Sequence, residues 1–205
     1  MFTLSRPTDA QIADHLHRQQ AHPFSYPEVG ATRGVPPAGY HVDTHRVRLG
    51  HGPATFAAAR DAVRAWKMFP PEMTRLCFPD RPIAAGTTVA VLCRAAWLWT
   101  LHSARIVYVI DETETTAVGA VDRFGFAYGT LPAHAEQGEE RFLVEWQHAD
   151  DAVWYEILAF SRPRHWLAKL ANPYVRHLQR RFRELSGEAM QRAVAEEKTT
   201  VRKII

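Results

Sequence analysis

The alternation of apolar and polar residues between Thr87 and Arg162 limits the fold more than any other feature of the chain. In ERFLVEWQHA (140–149), Phe142, Val144 and Trp146 share one phase. In AVWYEILAFSR (152–162), Val153, Tyr155, Ile157 and Ala159 share one phase, and Trp154, Glu156, Leu158 and Phe160 the other. Side chains alternate across a strand, so each segment predicts a strand. Asp150-Asp151 between them predicts a hairpin turn. Upstream, TTVAVLCRA (87–95), AWLWTLHSARIVYVIDE (96–112) and TTAVGAVDRFGFAYGTL (115–131) predict three more strands. The second of these should bend near His102-Ser103, and a tight polar turn is expected over Glu112–Thr116. YHVDTHRVRLG predicts a further strand over 41–50.

Helical spacing frames this run. Thr8 or Asp9 can cap a helix through QIADHLHRQQ, with Ile12 and Leu16 four apart. Phe56, Ala59, Val63 and Trp66 lie at three- and four-residue spacing after Pro53, which suits a helix start; Pro70-Pro71 should end that helix. The segment 72–86 is read as a loop. Trp166, Leu170, Tyr174, Leu178, Phe182 and Leu185 form a stripe on a long last helix starting near Pro163. Asn172-Pro173 makes it either kinked or two helices end to end.

Strands joined by short turns form an antiparallel sheet, and one long amphipathic helix after them can cover its concave face. The expected class is α+β: about six strands wrapped around a C-terminal helix, a helix-grip arrangement. We expect a single domain over 1–205, with an N-terminal helix and loop (1–40) packed on it and a polar tail from 187. The loop AHPFSYPEVGATRGVPPAGY combines Pro and Gly with aromatics, so it should pack on the body.

Composition removes several classes. With 46% hydrophobic and 23% charged residues, 205 residues can bury a core without disulfides or metal. Cys77 and Cys93 lie far apart and read as core thiols of a reducing cytosol. No basic segment followed by an apolar run opens the chain, and no apolar run is long enough for a membrane span. A cytoplasmic protein is expected. No nucleophile elbow, phosphate loop or dinucleotide fingerprint is present.

GFAYGTLPAHAEQGEERFLVEW followed by VWYEILAFSRPRHWL resembles uncharacterised protein family 0548, as do YPEVGAT and the W-x-M-F helix end (Trp66 to Phe69). The resemblance covers nearly the whole chain. It implies membership of the START-like and birch-pollen-allergen-like helix-grip proteins, which mostly hold apolar small molecules; some are cyclases, hydrolases or dehydratases. It carries no activity over to this chain.

The turn from Gly129 to Arg141 is the strongest candidate site. His134 with Glu139 or Glu140 could do acid–base work, with Glu136 nearby; a solvated hairpin is the plain alternative. It has no second His or Cys at ligand spacing, so no metal and no cofactor are expected. Tyr108, Tyr128, Trp146 and Tyr155 would line a cavity if they face inward, and are ordinary core if not. Tyr26 could close one end of it, or belong to a purely structural loop. Arg162 could meet an anionic ligand end. Arg105, Glu145 and Glu156 are strand charges whose face a one-residue slip would exchange. Arg176, Arg180, Arg181 and Arg183 could contact nucleic acid, or simply be solvated. The reading is a small apolar or amphipathic ligand held between sheet and helix. The alternatives are a cyclase- or hydrolase-type enzyme using His134, and an interaction protein using the basic helix.

Overall fold

A computed structural model describes residues 2–78, 80–95, 98–164 and 172–204. One antiparallel sheet runs through it. Its strands are β1 (Phe2–Thr3), β2 (His41–His51), β3 (Thr74–Cys77), β4 (Thr88–Ala95), β5 (Leu98–Thr116), β6 (Gly119–Thr130), β7 (Glu136–Gln147) and β8 (Ala152–Pro163). The order across the sheet is β2-β8-β7-β6-β5-β4-β3, with β1 paired to β5. Among the described residues three α-helices accompany it: α1 (Asp9–Gln20), α2 (Pro53–Arg64) and α3 (Asn172–Ile204).

The strand run is as the alternation predicts, with eight strands among the described residues where about six are expected. β3 lies in the segment read as a loop; four residues are too few to show a period. β5 and β6 turn at Ala117-Val118, so β5 extends through the polar residues read as the turn. β6 runs to Thr130 and β7 begins at Glu136, so the Gly129–Arg141 turn shrinks to its middle residues. Glu139 and Glu140 are therefore strand residues.

Two faces follow from the pairing. The inner face carries Val89 and Val91 of β4, Phe124 and Phe126 of β6, Phe142 and Val144 of β7, and Val153, Tyr155 and Ile157 of β8. α2 and α3 cover it, and contribute Phe56, Ala59, Val63, Met190 and Val194 to one buried cluster. The outer face carries Ala90, Leu92 and Leu101 under α1, and Tyr108, Ile110, Ala127 and Leu143 farther along. A bulge between Ile106 and Tyr108 shifts the phase of β5.

Local chemistry explains the helix ends. Thr8 caps α1 in a reciprocal box with Gln11. The carbonyls of Gln19, Gln20 and His22 at its other end accept from Arg105. α2 stops well before Pro70. Lys67 N–H bonds back to Ala62 and Trp66 N–H to Val63, with Trp66 at φ 56°. This left-handed closure normally falls to Gly. Here it turns Trp66, Met68 and Phe69 into the core, where each is nearly closed off. α3 continues past 187 as helix, with Ala189, Met190 and Val194 buried, so the expected polar tail is partly core. Gly187 lets α3 press against β2: a Cβ there would lie 2.9 Å from His45 Nε2. β8 continues to Pro163. Trp166 and Leu170 lie outside the described residues, and Tyr174 is exposed.

Candidate functional site

The inner face is aromatic in its middle and polar at one end. Trp66, Phe69, Phe126, Tyr128, Phe142 and Phe182 touch in a chain of ring contacts with centroids 5.0 to 6.4 Å apart. Next to them Tyr128 and Glu140 sit opposite each other on β6 and β7, and the Tyr128 hydroxyl donates to the Glu140 carboxyl at 2.7 Å. Glu140 shares its face with Phe142 and also with Glu136. No ion pair to Glu136 or Glu140 is made among the described residues. Burial pushes both carboxyls up to about 7, with only partial relief from Arg176 for Glu136 and from the Tyr128 bond and Arg183 for Glu140.

His102 and His134 stand at the end of this row. Their ring centroids are 4.5 Å apart. His134 Nδ1 accepts from the Glu136 backbone N–H at 3.0 Å, so the neutral ring carries its proton on Nε2. His102 Nε2 meets the Thr100 hydroxyl at 2.9 Å. Burial lowers both imidazoles: His102 falls to about 4 and His134 goes well below its usual value, with His102 adding to the effect. His102 Nδ1 and Glu136 Oε1 are closed to solvent and have no hydrogen-bond partner.

α3 supplies cations to this end. Asp43 of β2 receives Arg176 through two bonds, at 2.5 and 2.6 Å, and Arg183 at 3.0 Å. Two of the four arginines considered for nucleic acid are thus turned into the sheet. Arg180 is exposed and Arg181 pairs with Glu184. Farther along α3, Ser186 meets the hydroxyl of the fully buried Tyr155 at 2.8 Å.

Cys93, His102, Tyr128, His134 and Glu140 share a further property. Desolvation dominates the pKa of each, yet all five remain half-buried rather than sealed. Phe126, Phe142 and Tyr155 on the same face are fully closed.

The remaining candidates lie elsewhere. Glu139 points to the outer face. It accepts from the Tyr26 hydroxyl at 2.6 Å, Gly30 N–H at 2.7 Å, Thr32 N–H at 3.0 Å and the Thr32 hydroxyl. Tyr108 meets the Thr32 hydroxyl at 2.7 Å, also outside, because the β5 bulge reverses its phase. Tyr26 thus ties the N-terminal loop to the back of the sheet and closes nothing on the helix side. Gly129 makes room for it: a Cβ there would sit 2.1 Å from the Tyr26 hydroxyl. Arg162 is on the outer side too, over the Tyr40 ring at 4.3 Å. Trp146 is on the inner face but at the far end, with its indole N–H on Asp151 and its ring stacked on His148. Glu145 and Glu156 form outer-face ion pairs with Arg46, Arg123 and Arg141. Among the described residues no group of three His, Cys, Asp or Glu is placed to hold a metal ion. No helix among them is long and apolar enough to cross a membrane.

Sequence reasoning missed His102, Cys93 and Asp43 as members of the inner row. His102 had a signal: it falls in phase with Ala104 and Ile106, as a polar interruption of an apolar face.

A family model described as a domain of unknown function, DUF1990, matches residues 25–189. The chain belongs to this family. A UPF0548 protein of Dictyostelium discoideum is 33% identical over 210 residues, covering 95% of this chain and 96% of that one. A UPF0548 protein of Deinococcus radiodurans is 37% identical over 192 residues, covering 88% and 92%. Among solved structures, Ara h 8.0201 is similar at TM-score 0.46 and 13% identity, over 77% of this chain and 99% of that one. Human STARD10 is similar at TM-score 0.45 and 12% identity, over 97% and 84%. Both structural likenesses are too distant to bear on a ligand. The DUF1990 match takes in every residue of the inner row and leaves α1 outside.

Proposed function

We propose that the protein binds a small amphipathic molecule between the inner face of the sheet and α3. The apolar part lies against Phe182 and Phe69, with the closed Phe142 ring behind Phe69. The polar end meets Tyr128 and Glu140, with His102 and His134 beside them. One observation carries this reading: Cys93, His102, Tyr128, His134 and Glu140 are desolvated without being sealed, as groups bordering an internal recess are. Buried carboxyls without a paired cation are costly in a purely structural core. The unpartnered His102 Nδ1 and Glu136 Oε1 point the same way.

A second reading has its own support. A carboxyl that titrates near neutrality and is held by a tyrosine can give and take a proton, which suits acid–base turnover. Glu140 would be the acid–base group; Glu139 faces the other side of the sheet.

The test is native mass spectrometry of freshly purified protein, followed by extraction of small molecules. A stoichiometric amphipathic adduct, released on unfolding, is expected. Bare protein that also fails to take up a fluorescent apolar probe would overturn the proposal. Conversion of the released compound on return to the protein would select the second reading.

A further inference from the structure

We propose that the polar end of the ligand is an organic cation, an ammonium group seated on Glu140 and Tyr128; this rests on the recess proposed above. The first argument is charge. Among the described residues the inner row holds three carboxyls, Asp43, Glu136 and Glu140, and two guanidiniums, Arg176 and Arg183. Both guanidiniums are bonded to Asp43. Fully ionised, the set is one positive charge short. A monocation completes it, whereas a carboxylate or phosphate deepens the imbalance in a desolvated place.

Geometry selects Glu140 over Glu136. Glu136 is closed off at 8% exposure, while Glu140 remains half-buried. Along one strand the two are about 13 Å apart, so one head group cannot reach both. Tyr128 holds Glu140, its ring contacts Phe142 and Phe69, and Phe69 contacts Phe182, with successive centroids 5.4 to 6.4 Å apart. Aromatic faces beside a carboxylate are the arrangement that attracts an ammonium group. The Tyr128 hydroxyl already donates to Glu140, so its own oxygen is left to accept a ligand N–H. The imidazoles of His102 and His134 are neutral and add no repelling charge.

The groups facing Glu140 from the surrounding elements are Asp43 of β2, Tyr128 of β6, Tyr155 of β8 and Arg183 of α3, and Cys93 of β4 faces Tyr128. Cys93, Tyr128 and Tyr155 stay protonated through neutrality, because burial raises all three. Glu140 is thus the member of this set that changes charge near pH 7.

Isothermal titration of the full chain with decylamine, decanol and decanoate at about pH 8 separates the possibilities. Decylamine is expected to bind about tenfold tighter than decanol, with decanoate weakest. Glu140→Gln is expected to bring decylamine and decanol within about threefold of each other. A measurement without a variant covers failure of that protein to fold. Between about pH 6 and pH 8 decylamine should gain about tenfold on the wild type as Glu140 ionises, while decanol stays level. Decanol or decanoate binding as tightly as decylamine would overturn the cation and leave the recess standing. So would a decylamine affinity indifferent to pH. Binding of none of the three would overturn both.

Discussion

Glu139 and Glu140 are neighbours in β7 and face opposite sides of the sheet. Glu139 is closed off, at 2% exposure, and accepts four hydrogen bonds from the N-terminal loop. Glu140 accepts one hydrogen bond, from the Tyr128 hydroxyl, and remains half-buried. The same side chain, one residue apart, serves as a structural latch on one face and a candidate ligand group on the other.

Replacing the latch should damage the fold. Glu139→Ala leaves the Tyr26 hydroxyl, the Thr32 hydroxyl and two backbone N–H groups without their acceptor. A loss of about 3 kcal/mol is expected in urea unfolding, with faster proteolysis between residues 22 and 40. A stability within experimental error of the wild type would contradict this role.

Glu140 should behave in the opposite way. Its folded carboxyl is raised to about 7, above the ordinary carboxyl range, so the folded state holds a proton that the unfolded state has released. The stability this gives is full below the unfolded pKa and is lost as pH rises through 7. Glu140→Gln removes the dependence. The variant should be more stable than the wild type above about pH 8, by on the order of 2 kcal/mol, with the gap closing towards about pH 4. Equal stability at all pH values would show that Glu140 is not desolvated.

The imidazoles give a spectroscopic check. His102 is lowered to about 4 and His134 lies well below its usual value. Their contribution is present above the unfolded value and lost as pH falls through the folded one. Nitrogen chemical shifts of both rings should be flat from about pH 8 to pH 6. His134 should show the Nε2–H tautomer set by its Nδ1 bond to Glu136. A midpoint near the ordinary histidine value of about 6.5 would remove both rings from the interior.

Asp43 carries a similar test for α3. Asp43→Asn leaves Arg183, which is 9% exposed, without its carboxylate partner. A destabilisation of about 3 kcal/mol is expected, because an unpaired buried charge is left behind. A change below about 1 kcal/mol would mean that Arg183 is solvated.

The fold was legible because alternation is a local property. Val144 and Trp146, or Tyr155 and Ile157, declare a common face without knowledge of their partners. The site was less legible for three physical reasons. Gly129 to Arg141 reads as one polar turn, although Glu139 and Glu140 belong to a strand whose register decides their faces. The bulge at Ile106 moves Tyr108 to the outer face, and nothing in the sequence marks it. The pairing of Asp43 with Arg176 spans 133 positions, so the basic stretch of α3 looks free until the helix is laid on the sheet. His134 was found because it sits near a turn; its partner His102 was hidden inside a strand.

The most direct measurement is a two-dimensional amide and methyl NMR titration of the protein with decylamine. The account predicts shifts concentrated at Cys93, His102, Tyr128, Glu140 and Phe182, with Tyr26, Thr32 and Tyr108 unmoved. Shifts confined to the N-terminal loop and the outer face, or none at saturating ligand, would contradict it.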